Sequence, residues 1–149
     1  MVSTTKKQIY NLIFEGKGSF VKVKTLLEEN IKEINFTSVE GNTSLLGRAA
    51  HFGNLELVKL LVENYNVPVN PLNGEVMAPL ERAIHFEHYD VAEYLQEKGA
   101  KAKYLSVESK LKFAIHLGAD ELQIMDVVIR IHEMKNSNLF EVTKAWKSE

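Results

Sequence analysis

The sequence predicts an all-α solenoid of about four helix-turn-helix units, closed by a C-terminal capping helix. Two observations carry this. First, the chain superposes on itself. Arg48-Ala49-Ala50-His51-Phe52-Gly53 returns as Arg82-Ala83-Ile84-His85-Phe86-Glu87, 34 positions on, and as Phe113-Ala114-Ile115-His116-Leu117-Gly118 after a further 31. Second, each copy sits in a pair of short amphipathic helices. In the sharpest copy, Ala78 to Ala100, Leu80, Ala83 and Ile84 recur at i, i+3, i+4 on one helical face. Val91, Tyr94 and Leu95 do the same on the next helix, and Gly99 stops it, because glycine takes left-handed dihedrals without steric cost. Such a unit cannot bury its apolar face alone; stacked neighbours bury it.

Taken in order, residues 4–15 read as a helix with Ile9, Leu12 and Ile13 on one face, ended by Gly16-Lys17-Gly18. Residues 20–29 form its partner, with Val23, Leu26 and Leu27 inward. Lysines at 6, 7, 17, 22 and 24 stud this first unit, and a terminal unit needs such a polar outer face. Residues 31–43 form the first link. The second unit runs from Ser44 to Tyr65, with Ser44 as a candidate helix cap and Gly47 as a weak point of roughly 1 kcal/mol against alanine. The link Asn64 to Met77 carries the turn formers Pro68, Pro71 and Gly74. After the third unit comes the short link Lys101 to Ser106. The fourth unit has helices at about 107–117 and 121–134, the second with Leu122, Met125, Val128, Ile129 and His132 as an inner stripe. Leu139, Val142 and Trp146 mark a last short helix that caps the stack, with a partner-binding tail as its rival reading.

The chain resembles the ankyrin repeat family. The family pattern is T-P-L-H-x-A-A on a first helix, a G-H-L-E link, and a second helix ending L-L-x-x-G-A. Pro79, Leu80, Ala83, His88, Asp90, Val91, Leu95, Gly99 and Ala100 fall on it, and a period near ~33 is its signature. The resemblance implies a single domain over 1–149, with repeats at about 4–36, 37–72, 73–103 and 104–135 and a cap at 138–147. The second repeat departs from the pattern, since Gly41-Asn42-Thr43 stands one residue too far from Ala49-Ala50. Either its turn is one residue longer, or Ser44 replaces threonine as the cap.

Composition sets the outer bounds. The 149 residues are 45% hydrophobic and 26% charged, with a net charge of −2. These are values of a folded domain, without the basic excess of a nucleic-acid binder. With no cysteine there is no disulfide or thiolate metal site, which suits a cytoplasmic location. No run reaches the ~18 apolar residues of a membrane span, and no signal peptide is visible, so the sequons at Asn35 and Asn42 read as accidental. The initial methionine and closing cap suggest a complete small protein.

The usual catalytic motifs fail. Gly16-Lys17-Gly18-Ser19 lacks both the early glycine and the Lys-Ser/Thr pair of a phosphate loop, with Asn11 and Gly18 in their places. Val21 breaks a dinucleotide fingerprint, and no G-x-S-x-G or H-E-x-x-H occurs. His51, His85 and His116 recur one per unit, but stacked helices lie ~8–10 Å apart. Zinc ligands must each come within ~2 Å of the ion, so the three cannot share one metal. No catalytic residue, cofactor or metal is expected.

What the resemblance implies instead is a binding surface on the turn tips and the exposed side of the first helices. Carried onto this chain, it comprises His51, Phe52, His85, Phe86, His116 and Leu117, with turn-tip residues Glu40, Asn42, Glu75, Met77, Leu105 and Ser106. The aromatic residues could also pack between repeats, and the histidines could bond neighbouring turns. The expected function is binding one protein partner through the concave face, as an inhibitor, adaptor or immunity- or effector-type regulator, by a chain that is monomeric when free. The alternatives are a self-associating scaffold or, less favoured, an enzyme of unfamiliar type using His85, Glu87 and His88.

Overall fold

The computed structural model describes residues 4–14, 20–30, 32, 39–40, 42–72, 75–126, 128–129 and 133. The chain divides into two units, Met1–Leu105 and Ser106–Glu149. The first consists of three helix pairs: α1 (Thr4–Phe14) with α2 (Phe20–Glu29), α3 (Leu45–His51) with α4 (Leu55–Glu63), and α5 (Pro79–His85) with α6 (Tyr89–Glu97). First helices stack on first helices, α1 on α3 on α5, and second helices follow as α2, α4 and α6. The apolar stripes read from the sequence form the core. Ile13, Val23, Leu27, Leu46, Leu57, Leu61, Val91 and Leu95 are fully buried. Ala49, Ala50 and Ala83 are buried where α3 and α5 meet, and their small side chains let the helices approach closely.

The first link ends in a two-stranded hairpin, β1 (Val39–Glu40) against β2 (Thr43–Ser44), antiparallel with Val39 opposite Ser44. Asn42 turns it at φ +63°, a conformation asparagine tolerates. Of the two readings left open for this repeat, Ser44 is the cap: its Oγ accepts from the Gly47 amide at 2.9 Å.

Gly47 is more than a weak helical residue. A Cβ there would stand 2.3 Å from Glu75 Oε1, which accepts from the Ser44 amide at 3.2 Å and from Ser44 Oγ at 2.6 Å. The missing side chain is the space through which Glu75 reaches the start of α3. In the family pattern this place belongs to a histidine. In the next repeat it holds Glu81, buried at 2% exposure, whose carboxylate accepts from the Ala78 amide at 2.9 Å, from the Tyr104 amide at 2.6 Å and from the Lys103 amide. Ala78 has no side-chain oxygen to accept from the first-turn amides of α5; Glu81 secures the helix start in another way, by accepting from the Ala78 amide.

The turns between the helices of the second and third pairs each contain a left-handed residue, Gly53 at φ +63° and Glu87 at φ +60°. For an L-residue with a Cβ that conformation costs about 1–2 kcal/mol. Glu87→Gly is therefore expected to stabilise the chain by about 1 kcal/mol and raise its melting temperature by several degrees. A thermal melt followed by circular dichroism measures this, and an unchanged or lower midpoint would refute it.

In the second unit α7 (Val107–His116) begins at Ser106, whose Oγ accepts from the Ser109 amide at 3.1 Å. Residues 121–126 are again helical, opened by a reciprocal cap between Asp120 and Gln123. The inner stripe expected here is not inward. Leu122 is 81% exposed, and Met125, Val128 and Ile129 are exposed as well. Helical periodicity identifies a face but not what covers it. His132 and the capping helix expected at 138–147 lie outside the described residues.

Candidate functional site

The helix ends of α3 and α5 bring four of the expected residues together. Phe52 and Phe86 are the C-caps of these helices, so each ring leaves the backbone where the first helix stops. The His51 ring lies 3.9 Å from the Phe86 ring and 4.5 Å from that of Phe52, centroid to centroid. Phe86 also meets His85 edge-on at 4.9 Å. Phe86 is 41% exposed and His85 exposed, while His51 and Phe52 are half-buried. The result is a continuous aromatic surface across two repeats. His116 and Leu117 end α7 in the second unit, both exposed, with His116 parallel to Phe113 at 6.4 Å.

The turn-tip residues have more varied surroundings. Asn42 is exposed, and its carbonyl accepts from the Val76 amide and from Arg82 Nη2. The Met77 carbonyl accepts from Arg82 Nε at 3.2 Å. Glu75 spends its carboxylate internally, on Ser44 and on the Leu72 amide. Glu40 pairs with Thr43 in the hairpin. Leu105 closes the first unit, and Ser106 caps α7 at the start of the second. The most exposed apolar side chains at the tips are Val76 at 73% and Tyr104 at 81%, which the sequence reading did not single out.

His88 has a structural role. Its Nε2–H donates to the His51 carbonyl at 2.9 Å, tying the third repeat to the end of α3. Among the described residues no group of three or more histidine, cysteine, aspartate or glutamate side chains could hold a metal ion.

Beside the aromatic surface is a cavity of about 200 Å³ lined by Thr43, Arg48, His51, Phe52 and Arg82. Arg48 and Arg82 occupy the same place in successive repeats, 34 residues apart, a coincidence visible in the superposed sequence copies. Burial is the largest cause lowering the pKa of His51 below its ordinary value; Arg82, Arg48, His88 and His85 add to it. The folded chain thus takes up this proton less readily than the unfolded chain. The associated stability is present in full above pH ~6.5 and is lost as the pH falls below it. Urea melts between pH 7.5 and 5.5 are expected to show decreasing stability, and His51→Gln a shallower slope. An equal slope in both would remove His51 as the cause.

A family model for ankyrin repeats (3 copies) matches residues 14–105. The chain is similar to alpha-latrocrustotoxin-Lt1a of Latrodectus tredecimguttatus, 44% identical over 56% of this chain and 6% of the toxin. It is also similar to ankyrin repeat domain-containing protein 53 of Macaca fascicularis, 34% identical over 65% of this chain and 20% of that protein. The BTB/POZ domain-containing protein 3 of Schizosaccharomyces pombe is 37% identical over 52% of this chain and 15% of its own length. The chain therefore spans a fifth or less of these relatives. No solved structure matches it. No helix among the described residues is long and apolar enough to cross a membrane. The family match covers more than half of the sequence, so the chain belongs to the ankyrin repeat family, whose repeats are generally protein–protein interaction modules and typically not enzymes.

Proposed function

We propose that this chain binds one protein partner through its concave face, as an inhibitor, adaptor or immunity- or effector-type regulator in the cytoplasm, and is monomeric when free. The observation that carries the reading is the His51–Phe52–His85–Phe86 surface, where rings from adjacent repeats touch one another and still face solvent. Held rings lose little entropy on binding and offer large contact area, which is how interface hot spots work. Purified chain immobilised in a lysate of its source organism should retain one protein. A folded variant with all four residues changed to alanine should lose it. Equal recovery by both would move the contact off this face.

The exposed Leu122, Met125, Val128 and Ile129 favour a second reading, self-association as a scaffold. Sedimentation decides between the two. A mass that rises with concentration supports the scaffold, and a constant monomer mass supports the partner-binding module.

A further inference from the structure

We propose that the cavity between α3 and α5 is a carboxylate pocket, which receives an acidic side chain or the C-terminal carboxylate of the bound protein. The proposal rests on the protein-binding reading and adds the chemistry of the contact. Two guanidinium groups line the cavity, each from the same position of its repeat. Their internal commitments differ. Arg82 spans the repeats, donating from Nε to the Met77 carbonyl and from Nη2 to the Asn42 carbonyl. These bonds fix its plane at the cavity wall, and Glu75 lies close enough to act on its charge. Arg48 stacks its guanidinium over the Tyr10 ring at 5.1 Å. Its Nε–H is buried and has no hydrogen-bond partner among the described residues, and no carboxylate there pairs with it.

That Nε–H is closed to the cavity, so a ligand meets the guanidinium at its terminal Nη edge, and the matching acceptor for that edge is a planar carboxylate. The positive field is felt by the neighbouring imidazole, since both arginines make His51 harder to protonate. Thr43 completes the lining, and Phe52 gives an apolar wall for a methylene stem. The volume of about 200 Å³ is enough for an acidic head group and too small for a folded segment. The aromatic surface would then hold the area of the partner, and the pocket one charged anchor within it.

The test is an NMR titration of the intact chain at constant ionic strength with three probes. These are a capped tripeptide with a central glutamate, the same peptide with glutamine, and the glutamine peptide with a free C-terminal carboxylate. The glutamate peptide is expected to shift the Arg48 Nε–H and His51 ring signals with half-saturation on the order of 1–10 mM. The capped glutamine peptide should leave them in place. Arg48→Lys keeps the charge and removes the fork, so binding should weaken at least about tenfold while the melting temperature confirms folding. A response to the free-carboxylate peptide alone would assign the anchor to a chain terminus; a response to glutamate alone would assign it to a side chain. Equal shifts with capped glutamate and glutamine peptides, or no shifts at these residues, would overturn the proposal. So would saturation by inorganic phosphate at far lower concentration, which would reassign the pocket to phosphorylated ligands. The titration reads Arg48 and His51 without a partner present, so a flat result removes the pocket and leaves the lysate comparison to stand or fall by itself.

Discussion

Glu81→Ala is expected to cost about 3–4 kcal/mol, because it leaves the amides of Ala78, Lys103 and Tyr104 without their acceptor at once. Each orphaned, partly buried amide is worth about 1 kcal/mol or more, and the deleted side chain adds a void in a site that is almost closed to water. Glu81→Gln isolates the polar part. An amide has one carbonyl and one NH₂, while the carboxylate uses both oxygens as acceptors, Oε2 for Ala78 and Oε1 for the link. One donor must then face another, and a loss of about 2 kcal/mol follows even at matched volume. Urea unfolding gives the totals, and hydrogen exchange locates them. In wild type the amides of Lys103 and Tyr104 should exchange slowly although they lie in a link, and in both variants they should exchange quickly. Unchanged protection in Glu81→Gln would show that the carboxylate does not hold the link.

The second large effect is expected at Gly53. Gly53→Ala forces a Cβ into the left-handed region at φ +63°, at about 1–2 kcal/mol. It also brings that Cβ to 2.4 Å from His88 Nδ1 and to within 2.8 Å of two ring carbons. The ring cannot withdraw without releasing the His51 carbonyl, so the total loss is expected near 3 kcal/mol, more than a hundredfold in the folding equilibrium. A double-mutant cycle with His88→Ala separates the two causes. Removing the ring relieves the collision and leaves the dihedral strain, so the double variant should be more stable than the sum of the singles predicts by about 1 kcal/mol. Strict additivity would mean that the two residues do not press on one another.

Much of the architecture was legible because it rests on periodic residues. Ala49, Ala50, Ala83, Leu57, Leu61, Val91 and Leu95 keep helical spacing, and all are buried. The staples were not legible. Glu81 stands where the family pattern has histidine, and its acceptor role depends on amides 22 and 23 residues away. Gly47 reads as a defect until Glu75 is seen in the space it leaves. On the surface, helix-end geometry made His51, Phe52, His85 and Phe86 traceable from their position in the repeat. Arg48 and Arg82 were in plain view at a position whose side-chain direction only the fold supplies. The stripe at 122–129 misled because amphipathic spacing does not say which side faces solvent.

The two glutamates have a consequence for how such a chain can be rearranged. Consensus repeats behave like tiles that can be shuffled or multiplied, because every junction is the same. Here the junctions differ. The second repeat presents a hole at Gly47 that must be filled by Glu75 from the link behind it, whereas the third carries its own peg, Glu81, and needs only bare amides from the link that follows. Placing the third repeat's helix pair where the second stands would set Glu81 and Glu75 against the same helix start, two like charges in space for one. The order of these repeats is written into their junctions, like a lock whose wards accept one sequence of keys.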